Sequence, residues 1–254
     1  MELYGLLGLT LQHSFSHSYF NDKFSRENID AKYVNFEIPQ IGDVLDVFRN
    51  HPNLRGMNVT IPYKREIIPY LTELNDDARE IGAVNVVKIL HDDNKCNDKN
   101  GLPIKLIGYN TDYLGFTQSI KPLLQEKHKK ALILGTGGAS QAVEYGLRKL
   151  GISCQKVSRR KSDNCISYDD LTSEVMAEHT VIVNTTPLGT SPNVDECPDI
   201  PYDTLTSEHL LYDLIYNPSE TLFLKKGKEH GCVIKNGLEM LQIQADWSWK
   251  IWNM

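Results

Sequence analysis

The stretch Ala131-Leu-Ile-Leu-Gly135-Thr-Gly137-Gly138-Ala139-Ser140 decides the fold of this chain. It begins as an apolar run typical of a buried strand and leads into a helical pattern that ends at Gly151. In a strand, glycine-rich turn and helix of this kind, backbone N–H groups and the helix N-terminus bind a pyrophosphate. We therefore predict a dinucleotide-binding turn, with a tight turn that binds nothing as the alternative. The residues predicted to form it are Gly135, Gly137, Gly138, Ala139 and Ser140.

The segment that follows the next predicted strand is basic and reads Ser158-Arg159-Arg160-Lys161. An NAD-binding chain places an Asp or Glu there, about twenty residues beyond the glycine turn, to bind the ribose 2′-hydroxyl. A guanidinium instead forks onto a 2′-phosphate or stacks on adenine. We predict that Ser158, Arg159 and Arg160 bind NADP in preference to NAD; the alternative is a solvated basic loop.

Outward from this turn, short apolar runs alternate with helical patterns, which is typical of an α/β protein with parallel sheets covered by helices. The predicted strands are residues 3–8, 32–36, 56–59, 84–90, 105–109, 131–134, 153–157, 180–183, 210–215 and 232–234. The predicted helices are residues 17–27, 41–49, 64–71, 139–150 and 238–252.

A charged segment at 122–130 separates the two halves of the chain and predicts a domain boundary. We predict an N-terminal α/β substrate domain, residues 1–117 joined by C-terminal helices at 238–254, and a Rossmann-like doubly wound NADP-binding domain, residues 118–237. The polar stretch 91–103 predicts an exposed hairpin loop, and the tail is expected to pack back against the first domain.

Composition excludes several classes of protein. The 27 Lys and Arg against 33 Asp and Glu leave a net charge of −6, which argues against nucleic-acid or anionic-membrane binding. Five cysteines, without a Cys-x-x-Cys pair, predict neither a disulfide framework nor a zinc site. The chain lacks the roughly 20 consecutive apolar residues of a membrane span, and its start reads poorly as a signal peptide. We expect a cytoplasmic protein.

Four further segments predict a second binding site in the first half: 13–16, 56–64, 82–85 and 108–112. In open α/β sheets, ligands bind beyond the carboxyl ends of the strands, so we expect polar residues of these segments to converge there. Those residues are Ser14, Ser16, Thr60, Lys64 and Asp112. The set offers hydroxyls for a carboxylate and a Lys with an Asp for proton transfer, without a metal. Alternatively, Ser14, Ser16 and Asp112 are helix caps, and Asn85 holds a turn.

Eight segments, spread over nearly the whole chain, resemble the shikimate dehydrogenase family. They are 13–16, 58–64, 82–85, 108–112, 135–140, 184–189, 213–218 and 237–244. The resemblance implies NADP-dependent reduction of 3-dehydroshikimate to shikimate, a step toward chorismate and the aromatic amino acids.

The resemblance also implies roles for individual residues. Lys64 would be the catalytic residue, with Asp112 as its paired acid, whose negative charge favours the ammonium form of the lysine. The substrate would be held by Ser14, Ser16, Thr60, Lys64, Asn85, Asp112, Tyr216 and Gln244. The nicotinamide half of NADP would lie along Thr186, Leu214 and Gly237.

Two departures from the family pattern stand out. His17 replaces the proline that usually follows the Ser-x-Ser, and the loop at 91–103 is longer than usual. Two other functions remain open: a quinate/shikimate dehydrogenase that uses both NAD and NADP, and a catalytically silent relative that senses a cyclic acid. The oligomeric state is open between monomer and homodimer.

Overall fold

The computed structural model describes residues 1–11, 14–91, 101–102 and 104–254. The chain folds as two compact units. The first comprises Met1–Thr111 and Ala245–Met254, and the second Asp112–Gln244. Ala245–Met254, the last part of the tail, therefore belongs to the first unit. The predicted domain bounds, 1–117 with 238–254 and 118–237, stay a prediction.

The first unit is built on a six-stranded mixed sheet. Its strands are β1 (Glu2–Gly8), β2 (Ala31–Glu37), β3 (Leu54–Val59), β4 (Glu73–Leu74), β5 (Val86–His91) and β6 (Ile104–Tyr109), in the order β2-β1-β3-β5-β6-β4. β1 runs parallel to β2 and β3, but β5 runs antiparallel to β3 and β6. The expectation of a parallel sheet is therefore wrong for β5, whose antiparallel pairing with β6 is the one that the predicted hairpin loop at 91–103 implies.

Helices of the first unit are α1 (Phe15–Arg26), α2 (Val44–Asn50) and α3 (Asp76–Ile81). Side chains of β1 alternate between two cores, with Leu3 and Leu7 in one and Tyr4 and Leu6 in the other. The second core is aromatic and includes Phe20 and Phe24 of α1 together with Trp252 from the tail. This core covers one face of the sheet.

The second unit is a six-stranded, fully parallel sheet. Its strands are β7 (Lys130–Leu134), β8 (Ser153–Ser158), β9 (Cys165–Ser167), β10 (Val181–Asn184), β11 (Leu210–Asp213) and β12 (Val233–Lys235), in the order β12-β11-β10-β7-β8-β9. The chain moves outward from β7 to β9, crosses back to β10 and continues outward to β12. This order is the doubly wound arrangement, and the predicted α/β fold class is confirmed.

Helices of the second unit are α4 (Asp112–Ile120), α5 (Gly138–Lys149), α6 (Ser173–Glu178), α7 (Leu222–Glu229) and the first part of α8 (Leu238–Trp252). Alternate residues of β7 and β10 again fill two cores, with Ile133 and Val183 on one face and Leu132 and Ile182 on the other. Both faces of the sheet are therefore covered by helices and connecting segments.

One predicted helix is absent from the structure. Residues 64–71 form a turn and one short 3-10 helix, Ile68–Tyr70, where a helix was predicted. Pro69 explains the difference, because it lacks a backbone N–H and disfavours helical geometry in the preceding residue. The predicted loop at 91–103 lies largely outside the described residues. Within the described chain, no helix is long and apolar enough to cross a membrane.

Candidate functional site

The glycine turn of the second unit joins β7 to α5. Gly135 has φ +113°, which side chains rarely tolerate, and a Cβ there would approach Thr185 Oγ1 to 2.7 Å. Gly137 is the N-cap of α5, and a Cβ on it would meet no heavy atom within 4 Å. Ser140 is fully buried, and its hydroxyl donates to the Gly137 carbonyl at 2.7 Å. The turn therefore leaves open space at the helix N-terminus, the part of a helix at which anions bind in other proteins.

A cavity of about 570 Å³ adjoins this turn and is lined by Thr136, Ser158, Arg159 and Arg160. Ser158 ends β8, and its hydroxyl is hydrogen-bonded to the backbone of Arg160. Both arginines are exposed and line the cavity, whereas Lys161 pairs with Asp170 at 3.2 Å. Of the three consecutive basic residues, Arg159 and Arg160 line the cavity, and Lys161 pairs with Asp170 instead. A guanidinium is a group that can bind a 2′-phosphate such as that of NADP.

Three residues predicted to lie along the nicotinamide come together beyond the carboxyl ends of β10 and β11. Thr186 donates its backbone N–H and its hydroxyl to Asn184 Oδ1, at 3.0 and 2.7 Å. Gly237 donates its N–H to the Ile215 carbonyl at 3.0 Å. A Cβ on Gly237 would lie 2.0 Å from the Leu214 carbonyl oxygen, so this close approach requires glycine. Thr186, Leu214 and Gly237 therefore line one end of this sheet.

The other predicted substrate residues of the second unit lie on α4, on α8 and after β11. Asp112 is the first residue of α4 and is buried. Gln244 lies on α8 beside Gly115 of α4, whose Cβ would approach Gln244 Cβ to 3.3 Å. Tyr216 follows β11, and burial raises its pKa. α4 and α8 thus bring Asp112 and Gln244 onto neighbouring helices.

In the first unit, the predicted residues gather at one end of the mixed sheet. Thr60 and Lys64 follow β3, and Asn85 precedes β5, which runs antiparallel to β3. Val84 donates its N–H to the Lys64 carbonyl at 2.7 Å, and Thr60 donates its N–H to the Leu7 carbonyl of β1 at 2.9 Å. Thr60, Lys64 and Asn85 therefore share the end of the sheet where β1 and β3 terminate.

Ser14 and Ser16 are positioned by α1. Ser14 is the N-cap, and its Oγ accepts the His17 N–H at 3.2 Å, so the alternative of a helix cap is realised for this residue. Ser16 lies in the first turn of the helix. Burial raises the pKa of the Tyr33 hydroxyl. The Ser14 hydroxyl keeps its proton available while Oγ accepts.

A buried polar network underlies these residues. Tyr33 donates its hydroxyl to Asn58 Oδ1 at 2.8 Å, and the Asn58 amide donates to Ser248 Oγ at 2.9 Å. Asn85 accepts the Thr111 N–H at 2.7 Å and donates to the Thr111 hydroxyl at 3.0 Å. The network orders Asn85, to whose carbonyl the Asn58 amide also donates at 3.3 Å. Sequence reasoning had not identified Tyr33 or Asn58 as its members.

The predicted site residues divide between the two units. Ser14, Ser16, Thr60, Lys64 and Asn85 belong to the first, whereas Asp112, Tyr216, Gln244 and the predicted NADP residues belong to the second. The predicted pairing of Lys64 with Asp112 therefore stays a prediction. Among the described residues, no group of three or more His, Cys, Asp or Glu is arranged to hold a metal ion.

One buried acid was missed by sequence reasoning as a site residue. Asp213 ends β11, is completely buried and accepts hydrogen bonds from Asn184, Ile215 and Thr221. Burial raises its pKa to about 6. The signal in the sequence was an acid that directly follows a buried apolar run, at the end of a strand where ligands bind.

Comparison with known proteins identifies relatives over the whole chain. Residues 6–87 match the family described as the shikimate dehydrogenase substrate binding domain. The shikimate dehydrogenase (NADP(+)) of Methanococcus aeolicus is 38% identical over 267 residues, which cover 99% of this chain and 91% of that relative.

Solved structures give the same result. The crystal structure of shikimate dehydrogenase from Aquifex aeolicus is 36% identical, has a TM-score of 0.84, and is matched over 100% of this chain and 92% of that chain. The Thermus thermophilus shikimate 5-dehydrogenase, in complex with NADP(H) and shikimate, is 27% identical and has a TM-score of 0.81. The match covers 99% of this chain and 93% of that chain. The similarity therefore includes both units.

Proposed function

This chain belongs to the shikimate dehydrogenase family, and we propose that it catalyses the reversible NADPH-dependent reduction of 3-dehydroshikimate to shikimate. The observation that carries the proposal is the match to a shikimate dehydrogenase (NADP(+)) over 99% of the chain. The open glycine turn and the cavity lined by Arg159 and Arg160 support NADP as the coenzyme.

Residues of the second unit hold NADP in this proposal. Gly135, Gly137, Gly138, Ala139 and Ser140 form the turn that meets the pyrophosphate. Ser158, Arg159 and Arg160 bind the 2′-phosphate end, and Thr186, Leu214 and Gly237 bind the nicotinamide half. When bound, NADPH supplies the hydride that the ketone carbon accepts.

Residues of the first unit bind and orient the ring acid. The hydroxyls of Ser14 and Ser16 donate to its carboxylate, and Thr60 and Asn85 bind its ring hydroxyls. Asp112, Tyr216 and Gln244 keep the substrate roles that the family resemblance implies. None of these contacts requires a metal.

Lys64 is the proposed catalytic residue. Its Nζ holds a proton against the ketone oxygen, stabilises the negative charge that develops there, and delivers the proton as the alkoxide forms. In the direction of shikimate oxidation, the same atom takes up the proton.

We also propose a place for the protein in metabolism and in the cell. Shikimate formation is a step toward chorismate and the aromatic amino acids, as the family resemblance implies. A cytoplasmic location is supported by the cysteine pattern, since Cys154, Cys165, Cys197 and Cys232 are free thiols.

The proposal is tested by mixing the purified protein with shikimate and NADP⁺ and following the absorbance of the reduced coenzyme. Matched reactions replace NADP⁺ by NAD⁺, or shikimate by quinate. We expect rapid reduction with shikimate and NADP⁺ and a much lower kcat/KM with NAD⁺, because Arg159 and Arg160 favour the 2′-phosphate. Comparable rates with both coenzymes and with quinate would favour a quinate/shikimate dehydrogenase. No reduction of either coenzyme would favour the silent sensor.

A further inference from the structure

Asp213 is a buried acid to which the proposed reaction assigns no role. Its Oδ1 accepts the Asn184 amide at 3.0 Å and the Ile215 backbone N–H at 3.0 Å. Its Oδ2 accepts the Thr221 hydroxyl at 2.6 Å. Three donors on a completely buried carboxylate offset much of its desolvation cost, so the group is held in one orientation.

Asp213 and its three donors form a cluster that holds the backbone just after β10 and β11 in place. Asn184 ends β10, and its Oδ1 accepts both the N–H and the hydroxyl of Thr186. The Asn184 carbonyl accepts the Leu214 N–H at 3.0 Å, and the Ile215 carbonyl accepts the Gly237 N–H at 3.0 Å. The carboxylate therefore fixes the rotamer of Asn184, and through it the turn that carries Thr186.

The position of the cluster in the sheet indicates which part of the dinucleotide it serves. A doubly wound sheet binds a dinucleotide across its two halves. The half formed by β7, β8 and β9 carries the glycine turn and the arginines that read the 2′-phosphate. The half formed by β10, β11 and β12 therefore receives the nicotinamide end, and Asp213 lies at the end of its middle strand.

We propose that Asp213 is a positioning residue that fixes Asn184 and the backbone after β11 in the conformation that binds the nicotinamide half of NADP. The inference rests on the proposed function, since it takes NADP as the coenzyme. Asp213 acts through Asn184 and Ile215 and has no chemical role of its own.

Two substitutions separate positioning from charge. In Asp213→Ala, the Ile215 N–H loses its side-chain acceptor, and the Asn184 amide keeps only the longer hydrogen bond to the Leu188 carbonyl at 3.5 Å. The Thr186 turn is thereby loosened. In Asp213→Asn, the amide oxygen still accepts from Asn184 and Ile215, and the amide N–H₂ donates to Thr221, whose hydroxyl rotates to accept. Positioning is retained while the charge is removed.

The test is a calorimetric titration of each variant with NADP⁺ and with adenosine 2′,5′-bisphosphate, which lacks the nicotinamide. We expect Asp213→Ala to weaken NADP⁺ binding about tenfold or more, since it removes the acceptor shared by two buried donors. Binding of the bisphosphate should stay within about twofold, because its contacts lie on the other half of the sheet. Asp213→Asn should restore NADP⁺ binding to within about threefold of the parent.

Ser119→Ala is the matched control, because it removes another buried hydrogen bond of this unit, between the hydroxyls of Ser119 and Tyr212 at 2.6 Å. It should lower the melting temperature and leave both affinities unchanged. Should Asp213→Ala not fold, Asn184→Ala releases the same Thr186 turn and should weaken NADP⁺ selectively.

Each contrary outcome has a distinct meaning. Unchanged NADP⁺ affinity in Asp213→Ala, or in Asn184→Ala, would overturn the inference, as would equal weakening of both ligands. Asp213→Asn as weak as Asp213→Ala would replace positioning by a charge effect. A parent protein that does not bind NADP⁺ would contradict the proposed function itself, and the inference with it.

Discussion

Lys64 is the residue on which the proposed chemistry depends most. We expect Lys64→Ala to lower kcat by about 10²-fold or more, because it removes the proton donor and the positive charge at the ketone oxygen. The KM for shikimate should change little, since the carboxylate and ring-hydroxyl contacts remain. Steady-state kinetics with NADP⁺ measures both quantities.

Arg65→Ala is the control for Lys64→Ala, since it removes the adjacent, exposed cation and should leave kcat unchanged. Near-normal turnover in Lys64→Ala would remove Lys64 from the catalytic role.

Ser14 has two predicted roles, which separate by substitution. Ser14→Ala should raise the KM for shikimate, because the carboxylate loses a hydroxyl donor, and should lower the free energy of unfolding by about 1 kcal/mol, because α1 loses its cap. Ser14→Gly should raise the KM equally but cost only a few tenths of a kcal/mol. Steady-state kinetics measures the KM for shikimate, and urea denaturation measures the free energy of unfolding. An unchanged KM in both variants would show that Ser14 is a helix cap and does not bind the carboxylate.

Among individual residues, the sequence was enough to identify those whose side-chain chemistry and position after a predicted strand indicate a role. Lys64, Arg159 and Arg160 carry charges beside predicted strand ends. Tyr33 and Asp213 were missed because their roles depend on hydrogen bonds to residues distant in sequence, Asn58 and Asn184. Such partners are not visible in a single sequence without the sheet register.

Among the elements, the turn between β7 and α5 makes the sharpest prediction. Gly137→Ala should leave the melting temperature nearly unchanged, because its φ of −77° suits alanine and its Cβ meets no heavy atom within 4 Å. It should weaken NADP⁺ binding about tenfold or more, since the methyl group enters the space proposed for the pyrophosphate. Thermal unfolding and calorimetric titration measure the two effects.

Gly42→Ala in the first unit is the control for Gly137→Ala, because a Cβ there has similar room and meets only the Tyr70 hydroxyl, at 3.7 Å. Parent-like NADP⁺ affinity in Gly137→Ala would show that the pyrophosphate binds elsewhere.

Helices and strands were predicted correctly where their local sequence patterns are strong. β7, α5 and α8 were predicted because apolar period and end signals agree there. Residues 64–71 were assigned to a helix although Pro69 opposes it. The hairpin loop predicted at 91–103 implies antiparallel pairing of β5 with β6, which the structure shows. The antiparallel pairing of β3 with β5 was not predicted, because strand direction depends on the connection and not on the composition of the strand.

For the molecule as a whole, Asp213 predicts a dependence of stability on pH. Burial raises its pKa from 3.8 to about 6, so the folded chain binds more protons than the unfolded chain between these values. The free energy of unfolding therefore falls as pH rises through this interval, by at most about 3 kcal/mol, and Asp213→Asn should abolish that contribution.

Urea denaturation of the parent and of Asp213→Asn across this pH range isolates the contribution as a difference. Asp170→Asn is the control of opposite sign, because hydrogen bonds from Ser167 and the Lys161 charge lower the pKa of Asp170, so its contribution grows as pH rises. A pH-independent difference between the parent and Asp213→Asn would contradict the buried-carboxylate account.

The central claim is that this chain transfers hydride directly between NADP and the ring of shikimate. Incubation of the protein with 3-dehydroshikimate and NADPH carrying deuterium at both positions of the reactive carbon tests it, with mass spectrometry of the product. We expect shikimate with one deuterium, on the carbon that bore the ketone. Shikimate without deuterium, or no shikimate at all, would contradict the claim.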